Sequence, residues 1–117
     1  MKPGSRRRRA FTLVEIMIVI LIIGVLLGVA IPSFINARAR SRQRTCMTNM
    51  KQINGAKEQF AMQQNLNDGA PVAPADLVPA YIKEFPACPE GGVYTINPIG
   101  TSIVCTENAG PYAHIAP

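Results

Sequence analysis

Residues 16–37 form a run of 22 positions without a charged side chain, bounded by Glu15 on one side and Arg38 on the other. A helix needs about 20 apolar residues to cross a hydrocarbon layer of roughly 30 Å, so any fold must place this run in lipid or against other apolar helices. The upstream flank reads RRRRAFTLVE: four arginines (Arg6, Arg7, Arg8, Arg9) and, six residues after the last of them, Glu15 at the head of the apolar stretch. A lone carboxylate near a membrane midplane costs about 2.5–3.5 kcal/mol on insertion scales, so an acid in this position calls for a partner.

The formal charge of +5 reports the leader and not a basic surface. Lys2 and the four arginines supply five of the 12 basic residues; the remaining seven (Arg38, Arg40, Arg42, Arg44, Lys51, Lys57, Lys83) face seven acidic ones. A basic segment followed by an apolar one normally signals export. An ordinary cleaved signal, however, has an apolar core of about 7–15 residues and a small-residue cleavage site. Here the core is longer, and Ile31, Pro32, Ser33 and Phe34 offer no A-x-A pattern, so the helix is expected to remain attached. Charges on the two sides of the run nearly balance, and the denser leader, which comes first, is assigned to the cytoplasmic side.

Gly24, Gly28 and Pro32 weaken an isolated helix, and they predict a break or soft middle that a membrane or neighbouring helices would tolerate. Gly24 and Gly28 also form a small-xxx-small pair suited to close helix approach. Beyond them, Cys46, Met50, Ile53, Ala56 and Phe60 recur at helical spacing, with Arg44, Lys51, Glu58 and Gln59 on other faces. One helix therefore continues to Gln64, about 80 Å from Phe11, and NLNDGAP supplies its stop. Proline-rich residues 70–91 predict a loop with at most a helical turn over residues 75–81. Residues 93–97 and 101–105 predict a hairpin around a turn at 98–100. Two strands are marginal alone, so Val93, Tyr94, Ile96, Ile103 and Val104 are expected to pack on the helix. The expected fold is α+β: a basic leader (1–10), an apolar transmembrane or filament-core half-helix (11–37), an amphipathic half-helix (38–64) and a small loop-and-hairpin head (65–117).

AFTLVEIMIVILIIGVLLGVAIP behind a short basic leader resembles the amino-terminal signature of type IV pilins and of the pseudopilins of type II secretion and DNA-uptake systems. The resemblance covers about residues 6–45 and rests on Phe11, Thr12, Leu13, Glu15 and Pro32; the spacing of C-x2-N-M-K-Q-I, CPEGGVYT and a late Cys extends it loosely. It implies a membrane-embedded prepilin peptidase that cuts between Ala10 and Phe11 on the cytoplasmic face and methylates the new Phe11 amine. It further implies extraction by an assembly ATPase and an inner-membrane platform protein into a filament of copies of the chain. In that filament, Glu15 of one subunit neutralises the Phe11 amine of its neighbour. Ala10 departs from the usual Gly before the cut, which predicts slower processing or a permissive peptidase.

The exported setting is oxidising, and Cys88 and Cys105 flank the hairpin. A disulfide between them would close a loop of about 18 residues and add roughly 3 kcal/mol in the chain-entropy model. Cys46, on the apolar helix face, is expected to be a buried thiol, although its pairing with either other cysteine stays open. His114, with the three cysteines, could complete a Cys3His zinc site, but the four are scattered over almost 70 positions without a C-x2-C pair. The expectation is accordingly no metal, no cofactor, and a solvated His114. Arg38, Arg40, Arg42 and Arg44, two apart, spread around a helix and suit lipid headgroups or acidic neighbours better than sequence-specific DNA contact. No G-x-S-x-G, H-E-x-x-H or phosphate-binding glycine loop is present, and no enzyme is expected. The function implied is a structural pilin or pseudopilin subunit, with the small head favouring the latter. The alternatives are a permanent single-pass anchor for a small exported binding module and a DNA-uptake pilin.

Overall fold

A computed structural model describes residues 1, 4, 8–108 and 110–116. Lys2, Arg6 and Arg7 of the leader lie outside the described residues. The elements are α1 (Leu13–Gln64), α2 (Pro74–Leu77), β1 (Tyr94–Thr95) and β2 (Val104–Cys105), an α+β architecture with one two-stranded antiparallel sheet. The chain divides into two units, Met1–Asn36 and Ala37–Pro117.

In the first unit α1 is apolar all round. The large apolar residues from Leu13 to Ile35 are 48–75% exposed, and the helix is long and apolar enough to cross a membrane. The expected break does not occur: α1 is continuous through Gly24, Gly28 and Pro32. A single proline removes one amide from the ladder, and the hydrogen bonds on either side carry the helix past it. A Cβ at Gly24 or Gly28 would meet nothing within 4 Å.

In the second unit α1 supplies one wall of the core. Cys46, Met50, Ile53 and Ala56 pack with Leu77, Ile82, Cys88, Ile103 and Cys105, while Phe60 and Tyr81 close one side as an edge-to-face pair 5.8 Å apart. The helix ends as NLNDGAP predicts. Asn65 takes the left-handed conformation (φ 53°), and Leu66 N–H donates to Ala61 C=O at 2.9 Å, the Schellman arrangement that satisfies an orphan carbonyl. The expected turn over 75–81 begins as α2, where Asp76 accepts from Ala73 N–H at 2.9 Å.

The hairpin pairs Tyr94 with Cys105 and Thr95 with Val104, and its turn is closed by Thr101 N–H to Pro98 C=O at 3.1 Å. Two of the five expected packing residues face out: Val93 is 65% and Val104 44% exposed. Side chains alternate along a strand, so Ile103 and Val104 cannot share a face; Tyr94, Ile96 and Ile103 take the inner one. The strands are also shorter than expected because α1 intercepts the ladder. Asn54 Oδ1 accepts from Ile103 N–H at 3.3 Å, and Lys57 Nζ donates to the carbonyls of Pro98 (3.1 Å) and Thr101 (2.6 Å).

Candidate functional site

The amino-terminal end of α1 is built by Thr12, Glu15 and Ile16. Thr12 is the N-cap, since its carbonyl accepts the first helical bond from Ile16 N–H at 3.3 Å. Its hydroxyl accepts from Glu15 N–H at 3.2 Å, and the Glu15 carboxylate reaches back to accept from Thr12 N–H at 2.9 Å. This is a capping box, with two orphan amide donors satisfied reciprocally. The sequence carried the signal, T-x-x-E immediately before an apolar run, which the reading of Glu15 as a lone acid passed over. Ala10 and Phe11 precede the helix and are exposed, so the peptide bond between them is free of helical hydrogen bonding. Glu15 therefore has a local partner in the intact chain, and its carboxylate is held one residue away from the Phe11 nitrogen.

A second convergence of functional side chains lies in the Ala37–Pro117 unit. Cys46 of α1, Cys88 ahead of the Pro-Glu-Gly-Gly turn, Cys105 of β2 and His114 of the carboxy-terminal segment are all buried, and their ligand atoms lie within 4.8 Å of one another. The expected Cys88–Cys105 disulfide is absent: all three cysteines are free thiols. Nor is His114 solvated. It is 3% exposed, with Nδ1 3.4 Å from Cys88 Sγ and 4.0 Å from Cys105 Sγ. The scatter in sequence concealed this meeting because each contributor sits on a different element.

Helix side chains hold the two loops in place. Asn49 Nδ2 donates to Ala87 C=O (3.1 Å), beside Cys88, and Gln43 Nε2 to Ala113 C=O (2.8 Å), beside His114. His114 N–H itself donates to Glu107 C=O at 2.6 Å. Tyr94 O–H donates to Cys46 Sγ at 3.3 Å. Burial pushes the Cys46 thiol up to about 12 against that hydrogen bond, and burial raises Cys105 as well. Burial acts in the same direction on Cys88, but the backbone amides of Glu90 and Gly92 together with the Cys46 and Cys105 side chains outweigh it and leave the thiol below its ordinary value. Of the arginine run, Arg42 pairs with Glu90 at 3.1 Å in a partly exposed ion pair, a kind that contributes about 0–1 kcal/mol.

Comparison with known proteins points to the amino-terminal segment. Residues 5–31 match the Prokaryotic N-terminal methylation motif. The chain is 46% identical over 59 residues to the type IV major pilin protein of Myxococcus xanthus (strain DK1622), a match covering 50% of this chain and 27% of that pilin. It is 28% identical over 123 residues to the type II secretion system core protein G of Escherichia coli (strain K12), covering 92% of this chain and 85% of that protein. A type IV major pilin protein of Neisseria gonorrhoeae is 30% identical over 94 residues, 75% of this chain and 51% of its own length. No solved structure matches. The matched motif ends inside the apolar run and contains the capped helix start, and beyond it the chain is similar both to type IV pilins and to a type II secretion core protein.

Proposed function

We propose that the chain is a prepilin-type subunit that a prepilin peptidase cuts between Ala10 and Phe11 and methylates at the Phe11 amine. The subunit is held in the bacterial inner membrane by residues 11–37, leader in the cytoplasm and head exported. An assembly ATPase and an inner-membrane platform protein then move it into a cell-envelope filament of its own copies. The observation that carries this reading is the pairing of an exposed Ala10–Phe11 bond with a Thr12–Glu15 capping box at the head of a helix whose apolar residues from Leu13 to Ile35 stand exposed. Similarity across 85% of a secretion core protein, against 27% and 51% of the two pilins, favours a pseudopilus over a surface pilus.

Cleavage changes the electrostatics at this end of the helix. Phe11 gains an amino group with an ordinary pKa of about 8, cationic at neutral pH, one residue from the amide that Glu15 already holds. In a filament the same carboxylate neutralises the amine of the neighbouring subunit and fixes axial register. Once such a pair is buried, removing one partner costs about 3–5 kcal/mol because the other charge is stranded.

Two substitutions separate capping from charge pairing. Glu15→Gln keeps an acceptor for Thr12 N–H but loses the charge, whereas Glu15→Leu loses both. Both variants are expected to insert and to be cleaved, as read by the amino-terminal mass of the membrane-extracted protein, and neither to yield sheared filaments. Normal filaments from Glu15→Gln would reduce Glu15 to a helix cap. A wild-type chain that keeps its leader in the native membrane would leave the permanent anchor as the function.

A further inference from the structure

We propose that Cys46, Cys88, Cys105 and His114 form a structural zinc site that holds the small head together, a role independent of the assembly reading. A tetrahedral Cys3His site, with Zn–S near 2.3 Å and Zn–N near 2.0–2.1 Å, requires ligand atoms roughly 3.5–3.8 Å apart. The four donor atoms lie within 4.8 Å of one another, with sulfur-to-Nδ1 distances of 3.4 and 4.0 Å, so side-chain adjustments of about 1 Å complete the tetrahedron. All four are buried, and soft thiolates with one imidazole are the donor set that selects zinc over the hard cations.

The surroundings are those of coordinated sulfur. The Tyr94 hydroxyl donates to Cys46 Sγ at 3.3 Å, and the backbone amides of Glu90, Gly92 and Glu107 give Cys88 and Cys105 electrostatic support. Hydrogen bonds from outside a cluster are how protein frames orient and stabilise thiolate ligands, and Tyr94 supplies one to Cys46. Gly92 permits a close approach of the backbone: a Cβ there would stand 2.7 Å from Cys105 Sγ and 3.2 Å from Cys88 Sγ. A disulfide would use two of the sulfurs and leave the third buried beside His114, whereas one Zn²⁺ engages all four residues. On binding, the three S–H protons pass to solvent as three Zn–S bonds form, and His114 coordinates as neutral imidazole.

The gain is structural. The head has two strands of two residues each and one four-residue helix, so most of its backbone is irregular and its core small. Domains of this size commonly need a cross-link. Zinc would join α1, the loop before β1, strand β2 and the carboxy-terminal segment at a single point.

The test uses the full chain in mild detergent, purified without chelator. Elemental analysis is expected to give one zinc per chain, with the three thiols inert to a thiol reagent until a chelator strips the metal. Replacement by Co²⁺ is expected to give the visible absorption of a tetrahedral ion with thiolate charge transfer. Tyr94→Phe, which keeps all four ligands, should weaken zinc binding by about 10–100-fold. His114→Ala should weaken it further and alter the cobalt spectrum. A chain that takes up no zinc when offered it and has Cys88 joined to Cys105 overturns the proposal, as does a cobalt spectrum without charge transfer or zinc affinity unchanged in both variants.

Discussion

Lys57 lies in the core at 2% exposure, and its ammonium group ends between the carbonyls of Pro98 and Thr101. Burial lowers its pKa below the ordinary lysine value of 10.5, with Glu58 pulling weakly the other way. The folded state thus gives up the lysine proton at a lower pH than the unfolded chain. Stability from this residue rises with pH between the lowered value and 10.5, because the unfolded state binds more protons there. Lys57→Met should destabilise the head by about 1–3 kcal/mol at neutral pH, because it leaves two carbonyls without their donor. The deficit relative to wild type should widen toward pH 10.5; thermal unfolding of both full chains in detergent, followed by near-ultraviolet circular dichroism, measures it. Position 57 lies four residues beyond Ile53 and seven beyond Met50, so helical spacing places it on the inner face. Reading charge as exposure hid it, since nothing in the sequence names the carbonyls it meets.

At the scale of elements, α1 acts as a template for a hairpin with little ladder of its own. The turn is fixed by Gly100, whose φ of +83° suits glycine and whose added Cβ would come within 2.9 Å of the Asp68 side chain. Gly100→Ala should lower stability by roughly 1–2 kcal/mol, the ordinary penalty of a left-handed backbone for an L-residue, and more if Asp68 cannot move. The same unfolding measurement on the full chain tests it, and an unchanged midpoint would show that the turn relaxes. The helix, its stop at Asn65 and the hairpin were legible because period and turn residues are local properties. The facing of Val93 and Val104 was misread, although strand alternation sets each of them against its inward neighbour, Tyr94 or Ile103. Early truncation of the strands was not legible, because it depends on Asn54 and Lys57 arriving from forty or more residues away. Continuity of α1 through Pro32 shows the reverse: a strong local signal outvoted by the hydrogen bonds around it.

For the whole molecule, the proposed cleavage removes five of the 12 basic side chains and leaves seven against seven acidic ones. The isoelectric point should fall from about 9.5 to near neutrality, and focusing of extracts with and without active peptidase would show the shift as one band replaced by another. The cysteine and histidine cluster was the least legible feature, since spacing identifies metal sites only when ligands come in close pairs, and here each arrives on a separate element. Its converse holds in the loops. Gln43, Asn49, Asn54 and Lys57 grip the backbone of the head at Ala113, Ala87, Ile103, Pro98 and Thr101, and they bind main-chain groups that any residue would offer. Exposed side chains between those grips, outside the core and the turn glycines, are therefore free to vary without loss of the fold. A head pinned in this way is a display frame, and subunits sharing one helix could present quite different outer surfaces to whatever a filament meets.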